Sequence, residues 1–566
     1  MKNITLLLSL LFSVLGYAQL TVNSISPESQ TLTATINQAI EITFSEEISP
    51  FTFGENNFQV FGRWSGPMQG SLDFNGDFTA ITFTPDGEFI AGEMVTVNLS
   101  KFVTTPNAVP LTNGYAFSFW IKSESTGMDM IQIQEIEMKL DGETFIQCYG
   151  AYAGDINDDG FSDLSVINEF ANDVRVLLND GEGTYTDFEI YPLPSGNKPS
   201  PNEGADFNHD GFIDLAISHV QSNVVSVLMG DGEGGFLPEV GYTVGQGVRG
   251  LATIDLEADG HADIVTANRN ASSISLLSND GTGLFGDINS IPGISDGETA
   301  MAIADANEDG IMDLFVGAYS GGEVFIMLND GEGNFTAGGS APVDGQVWMV
   351  TIGDVNLDGH VDLVSANSNG HNCSVHLGDG LGGFSDSYDY PTGNFPLAID
   401  LGDLDGDGDL DMITSNYSGI NYTLFENDGT GNFINPTSFP AEAAGSCAIF
   451  HDRDNDGTLD LTLIDELEDL VFLYIHDPLS IEEYKGEVAM LQPNPFKDEI
   501  TITIDGSHDG LMSIYSIDGN LVKIISPRIE NTQTKYYWNA DKSIASGTYI
   551  FDIENLKLEK NKIIKE

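Results

Sequence analysis

The segment GDINDDGFSDLSV, residues 154–166, sets four carboxylates and an asparagine within ten residues and then turns apolar. Carboxylates this close repel one another, so the arrangement calls for a bound cation. Counting Asp155 as position 1, oxygen-bearing side chains fall at positions 1, 3, 5 and 9, and glycine stands at position 6. Seven copies follow this pattern. Their side-chain candidates are Asp155, Asn157, Asp159 and Asp163; Asp206, Asn208, Asp210 and Asp214; Asp255, Glu257, Asp259 and Asp263; and Asp305, Asn307, Asp309 and Asp313. The remaining three sets are Asp354, Asn356, Asp358 and Asp362; Asp403, Asp405, Asp407 and Asp411; and Asp452, Asp454, Asp456 and Asp460.

Alternating oxygens on a tight loop suit calcium, a hard cation that takes about six to eight oxygen ligands. The glycine lets the chain turn sharply, so that the position-7 carbonyl also faces the ion. Those carbonyls belong to Phe161, Phe212, His261, Ile311, His360, Asp409 and Thr458. The expectation is up to seven Ca2+ ions, which neutralise the clustered charge. An EF-hand is excluded: it needs an acid at position 12. That position here holds Val166, Ile217, Thr266, Val316, Ser365, Thr414 and Leu463. The third loop departs from the others, because Glu257 is longer than Asn or Asp and is expected to shift or weaken that site.

The elements that position these loops are strands. The first aspartates are spaced 51, 49, 50, 49, 49 and 49 residues apart, and a turn of the type NDGEGTY or GDGEGGF follows 24 residues behind six of them. A short apolar strand precedes each loop, two more follow it, and the Asp-Gly turn leads into a fourth. Glycine after Asp or Asn suits hairpin turns. Four strands per period of about 50 residues predict a β-propeller. Small residues before the loop aspartate (Gly154, Ala205, Ala304, Gly353, Gly402) place the first strand along a crowded central channel. The seventh repeat has no fourth-strand turn, whereas residues 128–138 alternate like a strand ahead of the first repeat. They are predicted to complete the last blade and close the ring, leaving no open sheet edge.

With 566 residues the chain exceeds a single core. Its 87 acidic and 20 basic residues give a net charge of −67, which argues against nucleic-acid partners and anionic membranes. Residues 1–18 read as an export signal: Lys2, a 12-residue apolar run, then the small Gly16 and Ala18. That run is too short for a membrane span, and no later segment is apolar enough for a transmembrane helix. Cys148, Cys373 and Cys447 lie in apolar strand-like segments and are expected to be buried thiols, with a Cys148–Cys447 pair as the alternative.

The loops resemble the FG-GAP or VCBS repeats of integrin-α-type seven-bladed propellers, a likeness that implies calcium in the hairpin between the first two strands of each blade. Residues 19–123, with ITFTPDGEFIAGEMVTVNLS and YAFSFWIKS, resemble the SbsA-type bacterial Ig-like domain. Residues 489–566, with LQPNPFKDEITI, MSIYSIDGNLVK and SGTYIFDI, resemble the C-terminal sorting domain of type IX secretion; Gln492 stands where that family usually has Tyr or Phe. This likeness implies the type IX secretion machinery as a partner and a secreted or cell-surface location. The expected architecture is all-β: an Ig-like β-sandwich, a propeller over residues 124–480, a linker over 481–488 and a small C-terminal β-sandwich.

Motifs for catalysis are sparse. The sequence has no HExxH and no nucleophile elbow, and its G-x-G-x-x-G matches are turn glycines outside any strand–helix unit. A binder is therefore favoured: a calcium-stiffened propeller for adhesion to a glycan or protein at the cell surface. Its contact face is expected opposite the acidic loops, where Tyr191, His219, Arg249, Arg269, Tyr319, Trp348, His371, Phe395 and Tyr417 fall. A polysaccharide lyase or hydrolase and a purely structural surface component are the alternatives, and fold alone does not choose among them.

Overall fold

The structure is a computed structural model that describes residues 19–54 and 56–476, together with most of the strands of 490–565. The expected export signal at 1–18 and the expected linker at 481–488 lie outside the described residues. The chain forms two compact units, one ending at Asp477 and the other beginning at Pro478. Among the described residues the only helical element is a 3-10 turn, Pro50–Thr52, and no helix could cross a membrane.

Seven four-stranded antiparallel sheets make up most of the first unit. Their innermost strands are Cys148–Gly154, Pro199–Ala205, Val248–Ile254, Glu298–Ala304, Val347–Gly353, Pro396–Gly402 and Gly445–His451. Each inner strand packs on the next, and Gly445–His451 packs back on Cys148–Gly154, so the sheets form a ring. The last sheet is completed by Met130–Glu137, pairing Glu137 with Leu470 and Met130 with His476, as the sequence predicts. The small residues before the loops are required by packing. A Cβ on Gly353 would lie 2.5 Å from Leu410, and one on Gly402 2.8 Å from Leu459.

Residues before the ring form a β-sandwich of two four-stranded sheets. Its core includes Ile42, Phe83, Val97 and Phe119. The second unit is a smaller sandwich, also of two four-stranded sheets, around Ile502, Ile514, Trp538 and Phe551. All three cysteines are buried free thiols, so the alternative Cys148–Cys447 disulfide is not formed. Burial pushes the thiols up, Cys447 to about 11 and Cys373 to about 12.

Candidate functional site

Each acidic loop joins the first and second strands of a blade and is shaped by its own aspartates. In every copy the position-6 glycine N–H donates to the position-1 carboxylate, at distances from 2.7 Å (Gly160 to Asp155) to 3.3 Å (Gly408 to Asp403). In loop 1 the Asp159 N–H donates to both Asp155 and Asn157, and the Phe161 N–H donates to Asp159 (3.0 Å). The side chains at positions 1, 3 and 5 thus turn toward one centre. All seven position-6 glycines take positive φ, from 83° to 97°. Position 4 does as well, although six of its seven residues are not glycine: φ is 57° at Asp158 and 60° at Leu357. Apart from Gly406, no glycine marks that requirement in the sequence.

Position 9 has a second task. Asp163 accepts from Ile156 N (3.0 Å) with one oxygen and from Asn179 N (2.7 Å) with the other. The same pair of bonds recurs at Asp214, Asp263, Asp313, Asp362 and Asp411. This aspartate therefore ties its loop to the residue that begins the Asp-Gly turn, which explains why the two sequence signals keep one offset. Where that residue is asparagine, its side chain reaches the neighbouring blade as well. Asn279 Nδ2 donates to Phe207 O (2.7 Å) and Asn427 Nδ2 to Val355 O (2.8 Å).

The donor set fits a cation best in loops 6 and 7. Asp403, Asp405 and Asp407 bring carboxylate oxygens within 4.8 Å of one another, as do Asp452, Asp454 and Asp456. Within these loops Asp403 Oδ2, Asp409 Oδ1, Asp452 Oδ1 and Asp454 Oδ1 are buried without a hydrogen-bond partner. Burial, reinforced by neighbouring carboxylates, pushes Asp403 and Asp452 up to about 7 and Asp409 to about 8. Asp155 and Asp206 rise to about 6 for the same reasons. Buried, unpartnered carboxylates of this kind are costly until a counterion joins them. Loop 3 differs from the others: Glu257 accepts from Ser278 Oγ (2.7 Å), and Asp255 accepts from Asn98 Nδ2 (2.8 Å).

Asn98 belongs to the N-terminal sandwich, which is seated on the loop face of the ring. Lys101 N donates to Ala258 O (2.7 Å), Ala116 N to Gly310 O (2.7 Å), and Asp155 N to Trp64 O (2.7 Å). The segment 122–129 continues the contact, with Glu124 N bonded to Gly457 O and Thr126 N to Asp405 O. The turn after Phe58–Gly62 enters the channel, where Arg63 pairs with Asp400 at 3.0 Å and Trp64 is buried against His451. A cavity of about 640 Å³ surrounds this turn and runs along the inner strands, from the sandwich and the acidic loops at one end to Tyr149, Arg249 and Trp348 at the other.

The far mouth of that cavity is where much of the expected contact set converges. Tyr149 OH accepts from Arg249 Nη2 (3.0 Å) and Trp348 Nε1 (2.8 Å), joining three non-adjacent blades across the channel. The Arg249 guanidinium lies 4.3 Å from the Trp348 ring centre, and that of Arg269 lies 3.5 Å from the Tyr319 ring centre. An arc of edge-to-face rings continues through Tyr319, Trp348, Phe395 and Tyr417, with centroids 5.6, 5.7 and 6.4 Å apart. His371 supports the arc by accepting from Phe395 N (3.0 Å). Across the mouth, Gln147 Nε2 donates to both Glu169 and Glu466 (2.8 Å each), and Lys198 pairs with Glu169 at 2.8 Å. Burial raises Glu466 to about 7 and Tyr149 to about 12.

Two members of the expected set do not join this cluster. His219 is buried against Ser226, and Tyr191 packs on Phe236. Sequence reasoning missed Tyr149, Lys198, Glu169 and Glu466. The period could have found the first, since Tyr149, Arg249 and Trp348 each stand six residues before a loop aspartate.

Comparison with known families matches this geometry. The FG-GAP-like repeat profile matches six overlapping stretches, 155–217, 206–266, 255–316, 305–365, 354–414 and 403–462, which together span more than half of the chain. A bacterial Ig-like domain matches residues 17–120, and a secretion system C-terminal sorting domain matches residues 490–566. No curated protein matches. Similar solved structures include an Agrocybe aegerita lectin described as recognising non-reducing terminal N-acetylglucosamine, 19% identical, covering 57% of this chain and 87% of that one (TM-score 0.39). A Lactobacillus plantarum protein is 13% identical, covering 69% and 98% (TM-score 0.41). A chain of Chaetomium thermophilum Polycomb Repressive Complex 2 is 9% identical, covering 61% and 97% (TM-score 0.45).

Proposed function

Because the chain belongs to the FG-GAP-like repeat family and ends in a sorting domain for type IX secretion to the cell surface or extracellular space, we infer that it is a calcium-stiffened propeller that binds a glycan or protein outside the cell. The observation that carries this reading is the mouth: arginines and aromatic rings from separate blades gather at one end of the channel. Half-buried rings with one polar edge are the side chains that fill sugar and protein contacts.

Calcium would be held by side chains at positions 1, 3, 5 and 9 and by the position-7 carbonyl, and would neutralise carboxylates that the fold buries in any case. It serves the architecture, since the loops lie at the end of the channel away from the rings and beneath the N-terminal sandwich. That sandwich, hydrogen-bonded to several loops, acts as a cap on the calcium face. A second reading, cleavage of a glycan, rests on Glu169 and Glu466, which share Gln147, with Glu466 raised to about 7.

The test is retention of the full chain on immobilised glycans and matrix proteins, in calcium and in EDTA, with the ligands analysed afterward. Calcium-dependent retention on an intact ligand supports the binder. Shortened glycan products move cleavage to the front. If a folded protein is retained on nothing, the binding reading fails and a structural surface component remains.

A further inference from the structure

Between residues 140 and 480 there are five basic residues: Arg175, Lys198, Arg249, Arg269 and Arg453. Two of them are consumed inside the fold. Arg175 is buried between Glu143 and Asp173, and Arg453 is buried on Asp460. The other three stand at the mouth. Lys198 is paired with Glu169, whereas neither Arg249 nor Arg269 has a carboxylate within ion-pair distance among the described residues. Arg249 donates only to neutral hydroxyls, those of Tyr149 and Ser200, and its Nε is buried without a partner. Burial and the nearby Arg249 both lower Arg269, so the two cations feel each other.

A chain with 87 acids and 20 bases that leaves two arginines on one tryptophan ring without an ion-pair partner, with Glu466 acting on Arg249 only from a distance, has kept a place for an anion from outside. The rings around them hold the guanidinium planes by stacking and offer faces to the C–H side of a sugar. The rest of the surface disfavours anions, but such repulsion between exposed charges fades beyond about 8 Å at physiological ionic strength.

We propose that the channel mouth binds a carboxylated glycan, with Arg249 and Arg269 contacting the uronate carboxylate and Trp348 and Tyr319 carrying the sugar ring. Glu169 and Glu466 then face the hydroxyls. This inference rests on the glycan-binding reading above and narrows it.

The experiment is calorimetric titration of the full chain, at fixed calcium, with trigalacturonate, its carboxyl-reduced counterpart and triglutamate. A trisaccharide is too short to cross-link through calcium. Trigalacturonate is expected to bind at least tenfold more tightly than either other probe, and R249Q/R269Q is expected to lose that tenfold. Arg249→Lys, which keeps the charge but not the planar fork, should fall between, and melting temperatures check that each variant folds. Equal binding of the carboxyl-reduced probe, unaffected by the arginine changes, overturns the carboxylate inference and leaves glycan binding standing. Tight triglutamate binding overturns it in favour of an acidic peptide. If no glycan in the retention screen binds, the broader reading has failed first.

Discussion

The two ends of the channel are built by the same seven repeats, yet they differ in how far the copies diverge. At the loop end position 1 is aspartate in all seven and position 6 is glycine in all seven. At the mouth, the residue six before each loop aspartate reads Tyr149, Ser200, Arg249, Thr299, Trp348, Leu397 and Ser446. The loop end is uniform because each copy solves the same local problem: a tight turn with buried carboxylates and one anchor to the next strand. The mouth is free of that problem. Its side chains point to a shared space, where seven positions holding six residue types compose one surface. Repetition in this chain marks what the fold requires, and divergence marks where a partner can be specified.

The strongest test of this contrast is metal removal. If free calcium stands about tenfold above each dissociation constant, each ion adds roughly 1.4 kcal/mol, and seven add about 10 kcal/mol. EDTA is therefore expected to lower the melting temperature by well over 10 °C; a scanning-calorimetry trace that does not move rejects calcium at the loops.

A finer cut separates anchor from ligand. Asp313→Ala leaves the Ala306 and Asn329 N–H groups without their acceptor and is expected to cost about 3 kcal/mol in EDTA, and more in calcium, where a ligand is lost too. Asp309→Ala frees the Ile311 N–H in either buffer, at a cost of about 1 kcal/mol, and in calcium should lose one ion's share as well, roughly 1.4 kcal/mol more. Denaturant melts in both buffers distinguish them, and equal losses in EDTA would erase the division between positions 5 and 9.

At the mouth, Trp348→Ala is expected to weaken partner binding by about 2 kcal/mol while the shift in melting temperature caused by calcium stays as in the parent. A changed calcium response would mean that the two ends are coupled. In loop 3, Glu257→Asn restores the common pattern and should add about 1 kcal/mol in calcium alone, read as a higher midpoint in urea.

A separate readout is a pH limb. Burial holds His219 and His376 at about 4, below their ordinary value near 6.5, so both are neutral in the native state. Their folded pKa is depressed, so the unfolded chain takes up protons first. Stability is complete above pH 6.5 and falls as pH drops from there toward 4, by at most about 1.4 kcal/mol per unit for each. In H219Q/H376Q the difference between melts at pH 7 and pH 5 should shrink.

The sequence by itself determined the ring, the loops and the closing strand, because each is decided within a few residues. Asp155 acts on Gly160, Asp163 on Ile156, and Asn179 begins a turn. Even the long-range pairing of Met130–Glu137 with Leu470–His476 was legible, since a missing fourth strand and a surplus strand imply each other. Only the tertiary structure decided which side chains meet across the axis. Tyr149 and Trp348 are 199 residues apart, and nothing in either segment announces the bond between them. The seating of the N-terminal sandwich on the loop face was likewise invisible, because backbone groups such as Lys101 N and Ala258 O carry much of it and all residues share those groups. Local chemistry is written in residue type and spacing. Convergence depends on where the ring closes, and the closed ring sets those distances.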